Sequence, residues 1–205
     1  MGHPKNIYIV LTATGTLFSK MIQCFTRAEL NHASIAFDSG LQEVYSFGRK
    51  TCHNPFTAGL IRENFSHPFY RKTGCAIYKV TVSSEEYEAM HHRVQTMMQQ
   101  QEVYRYHLMG LLGVLLNIEF EKENAYFCSH FVASILEESA FQPVAKPPCF
   151  VTPEDFAASL RAHKIYKGNL TYYLRSKSGS AVLPGRQAKR TYSSYTYPGG
   201  MVERV

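Results

Sequence analysis

The sequence predicts an α+β fold, an antiparallel sheet packed against helices, on three observations. Strand-length runs of β-branched and aromatic residues fill the first part of the chain. Two of these runs flank a turn signal that makes them a hairpin. Amphipathic helical spacing takes over after Ser83, so both kinds of element are mixed along one chain. With 205 residues, 45% hydrophobic and 19% charged, the chain can bury a core of its own as one domain, which excludes wholesale disorder.

Ile7-Tyr8-Ile9-Val10-Leu11 reads as a buried strand that stops at Thr12-Ala13-Thr14-Gly15. From Thr16, a potential cap, the apolar positions Leu17, Met21, Ile22 and Phe25 recur at three- and four-residue steps and predict a helix. His32 to Asp38 and Glu43 to Phe47 form the hairpin about Ser39-Gly40. Cys75 to Val82 is a third strand, beyond a loop containing Pro and His. Ser83-Ser84-Glu85-Glu86 is a helix start with acids in the first turn, and Met90, Val94 and Met97 carry the helix toward the glutamines at 99–101. A second helical stretch surrounds Tyr106 to Leu116. Phe127 to Glu138 places Phe131, Val132, Ile135 and Leu136 on one face, and Thr152-Pro153-Glu154-Asp155 opens another helix with Pro in its first turn. Tyr166 to Leu174 is expected to supply a last strand. The domain is therefore expected to span 1–174, and residues 175–205 to form a flexible, basic tail rich in Ser, Gly and Tyr.

Several function classes drop out. The longest apolar run, Leu108 to Ile118, has eleven residues, well short of the ~20 that cross a bilayer, so no transmembrane segment is expected. The N-terminal residues lack the apolar stretch of a secretory signal, and Asn6 stands where a myristoylation motif wants Ser or Thr. Cys24, Cys52, Cys75, Cys128 and Cys149 have no regular spacing, which argues against a disulfide framework and predicts a reducing, cytoplasmic setting. No CxxC or His–Cys pair has ligand spacing, so neither metal nor cofactor is expected. Of the formal charge of +6, four units lie between Ser176 and Val205; the nearly neutral remainder offers no footprint for nucleic acid. Lys189 and Arg190 with the nearby tyrosines would suit single-stranded nucleic acid, but a solubilising tail explains them as well.

Cys128 is the candidate nucleophile. It heads an amphipathic helix, where unsatisfied N–H groups and the helix dipole favour a thiolate. It also lies three, four and seven residues before Phe131, Val132 and Ile135, on the face a core would bury. His32 opens a strand and points away from Ala33, Ile35 and Phe37, so it is the candidate base. If the hairpin turns symmetrically about Ser39-Gly40, Ser34 opposes Tyr45, and Tyr45 falls diagonal to His32 on the same face. Tyr45 is thus the expected orienting residue. Glu43 is the better acceptor but lies about 13 Å away in that register.

Asn31-His32-Ala33-Ser34-Ile35-Ala36-Phe37, then Tyr45-Ser46-Phe47-Gly48-Arg49 and later Tyr126-Phe127-Cys128-Ser129-His130-Phe131-Val132 resemble the circularly permuted NlpC/P60 papain-like superfamily, of the YiiX/LRAT-like kind, in which histidine precedes cysteine. The likeness covers roughly Ile7 to Leu174. It implies a permuted papain-like fold and a cysteine hydrolase, amidase- or peptidase-like, that cleaves an amide or ester bond through a thioester on Cys128, with His32 as base and a polar residue of the next strand orienting it. The family commonly has His, Glu, Asn or Gln at that third position, where this chain has Tyr45. The expected substrate is small and peptide-, amide- or lipid-like. The apolar stretch Leu108 to Leu116 raises the alternative of a lipid acyl hydrolase or acyltransferase, and a catalytically inactive binding module of the same fold is the non-enzymatic alternative.

Overall fold

The computed structural model describes residues 2–13, 29–49, 58–106 and 124–179. Strand β1 (Lys5–Thr12) buries Ile7, Ile9 and Leu11 on one side and Tyr8, Val10 and Thr12 on the other. A strand apolar on both faces belongs in the middle of a covered sheet. β1 pairs antiparallel with β2 (His32–Ala36) on one side and with β5 (Gly74–Val82) on the other. β3 (Val44–Arg49) adds to β2, β4 (Ala58–Glu63) to β3, and β8 (Lys164–Asn169) to β5, which gives six antiparallel strands in the order β4-β3-β2-β1-β5-β8. A short parallel pair, β6 (Arg105–Tyr106) and β7 (Ala125–Tyr126), stands apart from this sheet.

On one face Ile9, Ile35 and Phe47 meet Met90 and Val94 of α1 (Ser84–Gln99), Phe131 and Ile135 of α2 (Cys128–Leu136), and Phe156 of α3 (Pro153–Ser159). On the other, Tyr8, Val10, Val44 and Ile77 are covered by Phe65 and by Leu170 and Tyr173 of α4 (Leu170–Lys177). Helix α1 starts where its sequence says: the Ser83 hydroxyl accepts from the Glu86 N–H (3.1 Å), and the Glu86 carboxylate accepts from the Ser83 N–H (2.8 Å). Thr152 and Asp155 make the same reciprocal cap on α3. Helix α2 has no side-chain cap.

Three expectations are corrected. Strand β4 was not anticipated, because Ala58-Gly59-Leu60-Ile61-Arg62-Glu63 has one β-branched residue and begins with two small ones. The stretch from Tyr166 to Leu174 is not one strand: Asn169 caps a helix through its side chain, which accepts from the Thr171 N–H, and α4 continues to Lys177, past the expected domain end. The hairpin turns about Gly40 rather than between Ser39 and Gly40. The Phe37 N–H bonds to Glu43 O (3.1 Å), Asp38 accepts from the N–H groups of Gln42 and Glu43, and Leu41 takes a left-handed backbone (φ 53°). The helix expected from Thr16, the apolar stretch Leu108 to Leu116, and most of the basic tail lie outside the described residues. Among the described residues, no helix is long and apolar enough to cross a membrane.

Candidate active site

His32 opens β2 and shares a face with Ser34, which places its ring on the sheet side covered by Phe65 and α4 rather than on the side packed against α1. Cys128 is the first residue of α2, held at the sheet by Phe131, Val132 and Ile135, and is 6% exposed. The helical hydrogen-bond ladder begins with Phe131 N–H to Phe127 O (2.9 Å), so the N–H groups of Cys128 and Ser129 precede it. The two elements meet where β2 begins. The Cys128 sulfur lies beside the His32 side chain and the backbone N–H groups of Ala33 and Ser129, all of which favour a negative charge on it.

The third member of the site is Glu63, the last residue of β4. His32 Nε2 donates to Glu63 Oε1 (2.8 Å), which leaves Nδ1 for the sulfur. Ser34 Oγ donates to the same oxygen (2.6 Å), and the Tyr70 hydroxyl donates to Oε2 (2.7 Å). Glu63 is 5% exposed, so these donors replace its hydration.

The protonation states follow from these contacts. Burial acts against the charge on Glu63, but the His32 charge and the hydrogen bonds from His32 and Ser34 outweigh it and bring its carboxyl down to about 2. Burial likewise opposes an imidazolium on His32, and the Glu63 charge with the Cys128 and Glu63 hydrogen bonds overcomes it, raising His32 to about 10. Cys128 is also desolvated, yet the hydrogen bond and charge of His32 and the two backbone N–H groups hold its thiol below the ordinary value. The arrangement favours a thiolate–imidazolium pair backed by a carboxylate. Cys75 shows the opposite case: burial pushes its thiol up to about 12. Cys24 and Cys52 lie outside the described residues.

Of the three residues expected in the site, the structure brings Cys128 and His32 together and places Tyr45 elsewhere. Ile35, not Ser34, pairs with Tyr45, so the one-residue change in register turns Tyr45 onto the opposite face, into the core beneath α1. There its hydroxyl donates to Glu43 Oε1 (2.8 Å) and accepts from Gln95 Nε2 (2.7 Å), while His91 Nε2 bonds the same Glu43 oxygen (3.0 Å). Glu43 therefore does not orient His32 either. Sequence reasoning missed Glu63 because its strand was not recognised; the faint signal was an acid directly after Leu60-Ile61-Arg62, with Arg62 turned outward to Gln42 O. His130 packs its ring on Tyr126 (4.7 Å) and Phe127 (5.4 Å). No group of three or more His, Cys, Asp or Glu able to hold a metal occurs among the described residues.

Comparison with known proteins yields no matching family model, no matching curated protein and no matching solved structure.

Proposed function

We propose that this protein is a cysteine hydrolase of the circularly permuted papain-like (NlpC/P60) kind, which cleaves an amide or ester bond through a thioester on Cys128. The observation that carries the reading is the series Cys128–His32–Glu63: a sulfur at a helix start beside an imidazole, whose Nε2 is held by a buried carboxylate. The Cys128 thiolate attacks the carbonyl carbon and its π electrons move to oxygen, where N–H groups at the head of α2 are suited to meet the oxyanion. As the C–N or C–O bond breaks, His32 Nδ1 gives its proton to the leaving amine or alcohol, and an acyl thioester remains. Water then attacks the thioester, losing its proton to the now neutral His32, and the thiolate departs as the acid is released. Glu63 holds the ring and its charge throughout. The substrate class is peptide-, amide- or lipid-like, with no cofactor.

The test is acyl capture. Incubation with p-nitrophenyl acetate at pH 7, followed by acid quench and mass spectrometry of peptides, is expected to place one acetyl group on the Cys128 peptide of the wild type. Cys128→Ala is expected to lose both the adduct and p-nitrophenol release above background. Acetyl spread over lysines, or release unchanged in Cys128→Ala, would contradict the reading.

A further inference from the structure

Tyr70 is not explained by packing alone. It ends the short 3-10 turn Pro68–Tyr70, a loop that covers the His32 side of the sheet between β4 and β5. Its ring lies between Phe65 (5.0 Å between ring centres, 71°) and Phe69 (5.1 Å, 88°), both edge-on, which fixes where the hydroxyl points. The turn is capped by His67, whose Nδ1 accepts from the Phe69 N–H (3.2 Å). Its far end is tied to the start of α4: Asn169 Nδ2 and Thr171 Oγ1 both donate to Arg71 O (3.0 and 3.3 Å), and the Leu170 N–H to Thr73 O (3.0 Å). This is a large amount of fixing for one phenol, and the phenol ends on the oxygen of Glu63 that His32 does not use.

We propose that Tyr70 is a positioning residue of the active site, acting through Glu63: its hydroxyl holds Oε2, so that Oε1 stays aimed at His32 Nε2 and the charge of the carboxylate stays available to the imidazolium. The proposal rests on the hydrolase reading above. The physical reason is the cost of a dry carboxylate oxygen. Without the phenol, Glu63 relieves that cost by turning toward other donors or by keeping the proton it now leaves on His32, and either response weakens the support for the Cys128 thiolate. The titratable groups facing Glu63 are His32 from β2 and Tyr70 from the loop, with Cys128 from α2 beyond His32; Ser34 and Ser46 face it without titrating.

The experiment measures the rate of Cys128 alkylation by iodoacetamide against pH in the full chain, for wild type, Tyr70→Phe and Glu63→Gln. Tyr70→Phe keeps the ring between its neighbours and removes one oxygen. Its inflection is expected to move up, with a loss of about tenfold in rate below the wild-type inflection and an unchanged plateau above both. A merely structural role would lower the melting temperature and leave the inflection in place. If Tyr70→Phe superposes on wild type while Glu63→Gln shifts the profile, the positioning role is overturned and the Cys128–His32–Glu63 reading stands. If neither variant shifts it, that reading fails too. A measurement on the intact chain covers the case in which Tyr70→Phe does not fold: the Tyr70 hydroxyl proton is expected as a slowly exchanging, low-field resonance that Glu63→Gln shifts, and a resonance indifferent to Glu63→Gln would overturn the proposal.

Discussion

Glu63 is a charged side chain almost without contact with water, and such a group survives folding only when donors surround it. Here His32, Ser34 and Tyr70 do so, and the carboxylate in return keeps a proton on His32 well above the ordinary pH of its loss. Glu63→Gln keeps the shape and removes the charge, so alkylation of Cys128 at pH 7 is expected to slow about tenfold or more. Tyr45→Phe and Glu43→Gln disturb only the network under α1 and are expected to leave that rate within about twofold. Second-order rate constants for the three variants check this, and the reverse ranking would return the orienting role to Tyr45. At this scale the chain was half legible. Cys128 and His32 reveal themselves by local position, one at a helix start and one on the polar side of a strand. Glu63 lies 31 residues from His32 and meets it across β3, which local periodicity does not report.

The element that decided between Tyr45 and Glu63 is the β2–β3 hairpin. Because side chains alternate with period two, the extra residue in its turn moved Tyr45 to the core under α1 and left Val44, Ser46 and Gly48 on the other face. Gly48 of β3 is one of them: a Cβ there would lie 3.2 Å from Ile61 Cδ1 and 3.6 Å from His32 Cε1. The imidazole rests over this glycine on its way to Glu63. Gly48→Val is therefore expected to cost roughly 1–3 kcal/mol in urea denaturation by overpacking and, by displacing the ring, to slow Cys128 alkylation on the order of tenfold. Stability lost with alkylation unchanged would show that the ring's seat is not on Gly48. Turn chemistry explains why the register was not legible: Asp38 caps two N–H groups and Leu41 adopts a positive φ, neither of which Ser39-Gly40 announces.

Across the whole molecule, the site exists because the sheet is covered on both faces. Helix α2 packs on one face and delivers Cys128 to the start of β2; the loop bearing Tyr70, braced by α4, covers the other and closes over Glu63. The α+β class, the hairpin and the helices α1, α2 and α3 could be read from apolar spacing and caps. The outer strand β4 could not, since Arg62 and two small residues give it the character of a sheet edge; β8 was legible from Tyr166 but not its end at Asn169, where the chain turns into α4. The ion pair has a working range: it forms as pH rises through the lowered value of Cys128 and lasts until His32 gives up its proton at about 10. The most direct measurement is the thiolate absorbance near 240 nm, recorded against pH as the difference between wild type and Cys128→Ala. A midpoint below the ordinary 9.0 of a cysteine, moving upward in His32→Ala, is the result predicted. A midpoint at or above 9.0, unaffected by His32→Ala, would contradict the ion pair and with it the proposed chemistry.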